Sequence, residues 1–162
     1  MIAGGLLLLL GGAACSAGRI EGGVFYSPRG YRVTLPGRPG WEVAADGPAD
    51  LELRLGASRA GILVNATCEG KAPSRSLAVL SGHLTFGIQS KEVLEREKVT
   101  VAGHHAFRLL LEGRLDGAPV QVEAYVVKGE ECVYDLIYAA PPTEFAAGTE
   151  DFRALVSSFV GR

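Results

Sequence analysis

Three cysteines, Cys15, Cys68 and Cys132, are the residues whose chemistry the sequence places most clearly. A thiol can be alkylated by a lipid, and two thiols can be oxidised to a disulfide. Cys15 directly follows an uncharged apolar run, whereas Cys68 and Cys132 lie in the body of the chain. These surroundings predict a lipid-modified thiol at Cys15 and a different role for the other two cysteines.

The first fourteen residues have the pattern of a signal peptide. Met1–Ala14 contains no charge, and Leu6–Leu10 is an unbroken run of leucines. The stretch is too short to cross a bilayer stably, which takes about 20 apolar residues, but it fits the apolar region of a secretory signal. Small residues then lead directly to Cys15. This segment resembles the lipobox of bacterial lipoproteins.

The lipobox resemblance implies that Cys15 receives a diacylglycerol and becomes the new N-terminus after cleavage. Two or three acyl chains would hold the protein on a membrane far more firmly than one chain does. In lipoproteins of Gram-negative bacteria, a residue other than aspartate after the cysteine, here Ser16, is usually compatible with passage to the outer membrane. We therefore expect a lipid-anchored envelope protein that faces the periplasm or the cell surface. The alternatives are a plain signal peptide cut near Ala14 and a buried apolar N-terminus.

The rest of the chain is predicted to be a short tether followed by one domain. Ser16–Gly23 contains three glycines and no apolar period, so residues 15–23 are predicted to be the lipidated cysteine and a flexible tether. Residues 24–162 show no internal repeat and no second domain. This length suits a single folded domain.

The charge and composition of the chain are typical of a folded domain that does not bind nucleic acid. The 162 residues include 16 Lys and Arg against 18 Asp and Glu, giving a net charge of −2, and 48% are hydrophobic. This composition is typical of a folded domain and too apolar for intrinsic disorder. A near-neutral domain lacks the basic footprint that phosphate backbones require. Nucleic acid is therefore not an expected partner.

The remaining cysteine pair predicts a disulfide. After Cys15 is assigned to lipid, an even number of cysteines is left, which in an exported chain favours a bridge between Cys68 and Cys132. Cys68 ends one predicted strand and Cys132 begins another, so antiparallel neighbours would bring them side by side. The alternative is two free, buried cysteines that pack as small apolar residues.

The histidines are the candidates for metal or acid–base chemistry. His104 and His105 are adjacent, so their side chains point in opposite directions on a strand, and His83 lies on a predicted helix. No cysteine or carboxylate stands at ligand spacing, and no hydrolase, metalloprotease, Walker or dinucleotide-binding motif occurs. We therefore predict no catalytic residue, metal site or cofactor. His105, in phase with Phe107 and Leu109, is predicted to be partly buried.

Four further features are candidates for binding. Asn65 and Asp135 lie among apolar strand residues, where they predict either a polar pocket between sheet and helix or a structural or exposed pair. Trp41 could anchor a ligand, although a plug at the end of the core is the favoured interpretation. The charged run Lys91–Lys98 is a candidate partner surface, although alternating charges are typical of a solvated edge strand.

Period-two alternation and short turns indicate a mainly antiparallel sheet covered by helices. A helix capped near Ser74 and Ser76 is predicted to present Leu77, Leu80, Leu84 and Ile88 on one stripe, and a second helix is predicted to begin near Thr149. The predicted strands are Tyr31–Leu35, Leu51–Leu55, Gly61–Cys68, Glu92–Val101, His105–Glu112, Val120–Lys128 and Cys132–Ala140.

The order of these elements resembles the PsbP-like fold, an α+β sandwich. The Leu35-Pro36 to Trp41 stretch, the Val101-Ala102-Gly103 hairpin and the Ser157-Ser158-Phe159 ending carry the resemblance. The group includes photosystem II extrinsic proteins, a Ran-binding nuclear factor and DcrB-like envelope lipoproteins. Fold resemblance implies little about activity.

The combined prediction is a lipid-anchored envelope protein whose domain binds another protein, or helps to assemble one, without catalysing a reaction. Two rival hypotheses remain. The first is a small-ligand carrier with a cavity between the sheet and the helix from Ser74, and the second is an unrecognised hydrolase.

Overall fold

Alternating apolar residues build two antiparallel sheets in the computed structural model, which describes residues 18–45, 47–69 and 74–162. The smaller sheet has three strands in the order β1-β2-β3. The larger sheet has seven strands in the order β4-β5-β6-β10-β9-β8-β7. The strands are β1 (Arg19–Glu21), β2 (Val24–Tyr26), β3 (Arg32–Thr34), β4 (Trp41–Val43), β5 (Leu51–Leu55), β6 (Gly61–Thr67), β7 (Gln89–Val101), β8 (His104–Leu115), β9 (Ala118–Lys128) and β10 (Val133–Ala140).

The two helices lie on opposite faces of the seven-stranded sheet. Helix α1 (Leu77–Leu84) packs on β8 and β9, and helix α2 (Ala146–Ser157) packs on β10 and β3. No helix in the described parts of the chain is long and apolar enough to cross a membrane. The predicted α+β class, a mainly antiparallel sheet covered by helices, is confirmed.

Most of the core lies on the α2 face of the large sheet. Alternate residues of β10, Tyr134, Leu136 and Tyr138, are fully buried there against Phe152 and Leu155 of α2. The rings of Tyr138 and Phe152 stack with their centroids 5.7 Å apart. Their burial removes several large apolar surfaces from water, at about 25 cal/mol for each Å².

The α1 face of the sheet carries two smaller apolar clusters. Leu109 and Leu111 of β8 are buried there beside β9, and Leu84 of α1 packs against both clusters. Ser76 caps α1 as predicted, because its side chain accepts a hydrogen bond from the Val79 amide. The helix ends at Leu84, so Ile88 packs beyond its end and not on its stripe.

The first residues of the described chain differ from the predicted tether. Gly22 and Gly23 form a turn with positive φ, and Arg19–Glu21 pairs with β2 in a hairpin. Residues 19–23 are therefore part of the small sheet. This sheet is tied to the C-terminus, because Arg32 and Val160 exchange backbone hydrogen bonds of 2.9 and 3.0 Å. Cys15 lies outside the described residues.

The structure joins Cys68 and Cys132 by a disulfide, as the sequence predicts. The register of β6 and β10 pairs Thr67 with Val133, so the two cysteines are opposite each other one step further along. Their Cα atoms are 4.0 Å apart, within the separation of about 7 Å that a bridge requires. The bridge therefore closes one end of a central strand pair.

Helix α2 begins at Ala146, before the predicted start at Thr149. The hydroxyl of Thr149 donates to the Phe145 carbonyl and therefore does not cap the helix. Gly148 lies where α2 passes over Tyr138, and a Cβ atom built on Gly148 would be only 2.7 Å from the tyrosine oxygen. The glycine permits this close approach of helix and sheet.

Two glycines in the helices are expected to respond in opposite ways to alanine. Gly148→Ala is expected to lower the free energy of unfolding by about 1–3 kcal/mol, because the added methyl group overpacks the contact with Tyr138. Gly82→Ala in α1 meets open space and is expected to raise it by about 0.5–1 kcal/mol. Urea unfolding of both variants checks the prediction, and equal shifts would contradict it.

Candidate binding surface

The edge strand β7 is the longest exposed element in the described chain. It has 13 residues, and all except Val99 and Val101 are exposed. It pairs with β8 on one side, while its other edge has no partner strand in the sheet order. The backbone groups along such an edge can pair with an added strand.

Two irregularities divide the edge strand. The β7–β8 register shifts between Gln89 and Glu92 and again between Val93 and Glu95, and Ser90 has a φ of 50°. Such bulges and a high density of charge protect an edge from unspecific pairing. They leave Glu95–Val101 as the regular part of the strand.

The two sides of this regular segment carry opposite charges. Glu95 and Glu97 lie on the α2 side, where both pair with Arg108. Arg96 and Lys98 lie on the other side, and the Arg96 guanidinium is 5.9 Å from the centre of the Phe107 ring. Alternation along the strand therefore separates acidic from basic side chains.

A network of charged side chains lies on the α2 side, next to the edge strand. Glu123 of β9 has no exposed side-chain surface, and its Oε1 accepts hydrogen bonds from Arg108 Nε at 2.7 Å and Arg153 Nε at 3.1 Å. The Tyr125 hydroxyl donates to the same carboxylate at 3.2 Å. The buried negative charge is therefore compensated by two cations and a hydroxyl.

The network holds Arg108 in its charged form. Burial alone would lower the pKa of Arg108, but its hydrogen bonds to Glu123 and Glu95 outweigh this and raise the pKa above its usual range. Arg108 thereby links the buried carboxylate to the exposed acidic side of β7. Two shallow cavities of about 500 and 520 Å³ adjoin this network and share Val99, Tyr125 and Arg153.

A second groove lies on the opposite face, between the start of α1 and the β7–β8 hairpin. Its volume is about 540 Å³. The lining combines apolar groups with two lysines and one histidine, and contains no carboxylate. We call it the α1 groove; its lining residues are Ser76, Leu77, Ala78, Lys98, Val99, His105, Ala106, Phe107 and Lys128.

The prediction that His105 is partly buried is wrong. His105 has the expected alternation with Phe107 and Leu109, but it is exposed. Helix α1 covers the sheet beside Leu109 and leaves the hairpin end open, so the same strand face is buried at one end only. In the described part of the chain, no three His, Cys, Asp or Glu side chains come together in a way that could hold a metal ion.

Asn65 and Asp135, predicted as a polar pair, are directly opposite each other in the β6–β10 register. Both are partly buried, and neither lines the grooves described above. Val126 is the neighbour of Asp135 on the other side. Removal of the carboxyl group from water raises the pKa of Asp135 to about 7.

The raised pKa of Asp135 predicts a pH-dependent stability. Its folded-state value lies above the ordinary 3.8, so the native state binds more protons than the unfolded chain between about pH 4 and 7. The contribution of this group to stability is present at pH 4 and is lost as the pH rises to about 7. Asp135→Asn is therefore expected to stabilise the fold at pH 8 by about 1–3 kcal/mol, with a much smaller effect at pH 4.

Unfolding by urea at pH 4 and pH 8 measures this difference. Asp116→Asn, at an exposed turn position, is the matched control and should show the same small effect at both values. An Asp135→Asn effect that does not change with pH would contradict the prediction.

Trp41 closes one end of the core, in agreement with the plug interpretation. Its ring is 6.5 Å from that of Tyr138, and its indole N–H donates to Asp151 at 2.9 Å. Arg38 pairs with the same carboxylate at 3.0 Å. Trp41 is therefore held in place by contacts within the domain.

The buried acid Glu123 was not among the sequence candidates. In the printed sequence it stands between apolar residues of an alternating strand, a position typical of a solvent-facing side chain. One signal was available, because Arg108 is the single charged residue in the otherwise apolar run 106–111 of a predicted strand.

Comparisons with solved structures place this architecture among known folds. LpqN, which is involved in cell envelope biogenesis of Mycobacterium tuberculosis, aligns with a TM-score of 0.64 and 15% identity over 83% of this chain and 85% of its own. The cyanobacterial PsbP protein CyanoP from Synechocystis sp. PCC 6803 aligns with a TM-score of 0.59 and 15% identity, over 96% of this chain and 99% of its own. PA94 of Pseudomonas aeruginosa, a protein of unknown function, aligns with a TM-score of 0.55 and 12% identity, over 81% of this chain and 91% of its own.

These similarities define the class of fold. The chain has a PsbP-like α+β sandwich, as its element order predicts. At such identities the likeness concerns the fold and not the activity. No protein-family model matches the sequence, and no curated protein matches it significantly.

Proposed function

We propose that this chain is a lipid-anchored protein of the bacterial envelope whose PsbP-like domain binds another protein through β7, without catalysing a reaction. The exposed edge strand is the observation that carries the proposal. A partner strand would add to the free edge by backbone hydrogen bonds, and the charges of β7 would select it.

The charge pattern favours a different protein over a second copy of this chain. Side chains that face each other across antiparallel strands lie on the same side of the sheet. A two-fold axis between two copies of Glu95–Val101 would therefore place acidic side chains opposite only acidic side chains or valines, and basic side chains opposite only basic side chains or Thr100. No register would bring opposite charges together. Like charges directly opposite each other are destabilising.

The expected partner strand has the reverse pattern. Basic side chains would face Glu95 and Glu97, and acidic side chains would face Arg96 and Lys98. The cavity beside Val99 on the α2 side gives room for side chains of that strand. The similarity in fold to LpqN, a protein of cell envelope biogenesis, supports an envelope role of this kind.

Photocrosslinking in intact cells tests the binding surface. A photoreactive residue in place of Glu97 should give one discrete crosslinked product, whereas the same residue in place of Glu42 on the opposite edge strand should give none. Arg96→Glu should reduce the product about tenfold or more, and Arg32→Glu, with the same change in net charge, should not. Equal yields from Glu97 and Glu42 would contradict the proposal.

The lipid anchor requires its own test. In the natural chain we expect membrane fractionation and an acyl mass on a mature N-terminal Cys15. Cys15→Ala should move the protein to the soluble fraction. A Cys15→Ala variant that fractionates like the natural protein would rule out the anchor while leaving the β7 surface open to the crosslinking test.

A further inference from the structure

We propose that the α1 groove binds a small anionic amphiphile, namely a fatty-acid-like molecule with one linear apolar chain and a carboxylate head. This site lies on the α1 face of the sheet, next to the free edge of β7, and shares Lys98 with that edge. The groove volume of about 540 Å³ falls within the range of about 300–1,000 Å³ that is typical of small-ligand sites.

The apolar part of the groove suits an aliphatic chain. Leu77 and Ala78 form one wall at the start of α1, and Phe107 of β8 lies in the opposite wall. Ala78 is exposed in the structure, and Leu77 and Phe107 are only partly buried. A bound chain would therefore remove apolar surface from water without displacing any core residue.

The charged part of the groove suits an anionic head. Lys98 and Lys128 line it from β7 and β9, and His105 lines it from β8. Lys128 already donates one hydrogen bond to the Arg75 carbonyl at 3.2 Å, which holds its ammonium group near the start of α1. Because the lining contains no carboxylate, an anion meets attraction here without a competing negative charge.

These features together select the class of ligand. A neutral apolar molecule would leave the lysines unused, and a small anion without a chain would leave Leu77 and Phe107 in water. A carboxylate with an aliphatic chain satisfies both parts of the groove.

Isothermal titration of the full chain with decanoate below its micelle concentration tests the proposal. Decanoate should bind about tenfold more tightly than decanol or decyltrimethylammonium. Ala78→Trp should fill the groove and weaken decanoate binding by about tenfold or more. Val79→Trp, one residue further along the same helix and outside the lining, should bind decanoate normally.

Charge reversal gives a second, independent arm. Lys98→Glu/Lys128→Glu should weaken decanoate binding about tenfold, whereas Arg19→Glu/Arg32→Glu, with the same change in net charge, should not. Decanoate binding equal to that of decanol would overturn the proposal. Equal decanoate binding by the Ala78→Trp and Val79→Trp variants would also overturn it. So would a hexaglutamate peptide that binds as tightly as decanoate and whose affinity is not changed by Ala78→Trp.

Discussion

Glu123→Gln is expected to lower the free energy of unfolding by about 3 kcal/mol or more. Glu123 is fully buried, and its carboxylate is the common acceptor for Arg108 and Arg153. The glutamine keeps the shape of the side chain but removes the charge, so Arg108, whose side chain is only 11% exposed, loses its buried counter-ion. Breaking one partner of a buried ion pair typically costs about 3–5 kcal/mol.

Urea unfolding of the Glu123→Gln variant measures this loss. Glu97→Gln is the matched control, because Glu97 contacts the same Arg108 at 3.7 Å but is 55% exposed. Its loss should stay below about 1 kcal/mol, as is usual for ion pairs at the surface. A loss in Glu123→Gln that is no larger than in the control would show that burial adds nothing to this interaction.

The Glu123 network also shows where sequence reasoning stops. Alternation in β9 places Val122 and Ala124 on one face of the sheet, and Glu123 on the other. If one face of the sheet were exposed to solvent, as is common in antiparallel sheets, the Glu123 carboxylate would lie in water. Here α1 covers one face of the sheet and α2 covers the other, so the side chains on both faces of β9 are buried. The packing of a helix on the second face is a tertiary feature, so the local sequence pattern of β9 does not predict it.

The strands themselves were predictable for a physical reason. Alternation is a local property, so β5 (Leu51–Leu55) was found with its exact bounds, and β6, β8, β9 and β10 were found within a few residues at each end. The hairpin through Ala102 and Gly103 was also recognised, because a short turn leaves the chain no alternative to antiparallel pairing.

Elements that depend on distant partners were missed or misplaced. The glycines on both sides of β1 led to the prediction of a tether, whereas the sheet that contains β1 is held by Val160 at the far end of the chain. The α1 groove depends on where α1 begins relative to the β7–β8 hairpin, and this also decides the exposure of His105. Both features come from the packing of separate elements.

Removal of the disulfide is expected to have the other large effect on stability. Cys68→Ala/Cys132→Ala should lower the free energy of unfolding by about 4 kcal/mol, because the bridge closes a loop with a sequence separation of 64 residues and so restricts the unfolded chain. This is a large share of the total stability of about 5–15 kcal/mol that is usual for a domain. The midpoint of urea unfolding under oxidising conditions measures it.

A reductant separates the effect of the bridge from that of the side chains. Added to the natural chain, it should lower the midpoint to nearly that of the double variant, whereas the double variant itself should not respond. Cys132 is buried beside the core, so any remaining difference in midpoint between the reduced natural chain and the double variant gives the packing effect of the sulfur atoms. A natural chain that is fully oxidised and yet no more stable than the double variant would mean that the unfolded chain is already confined without the bridge.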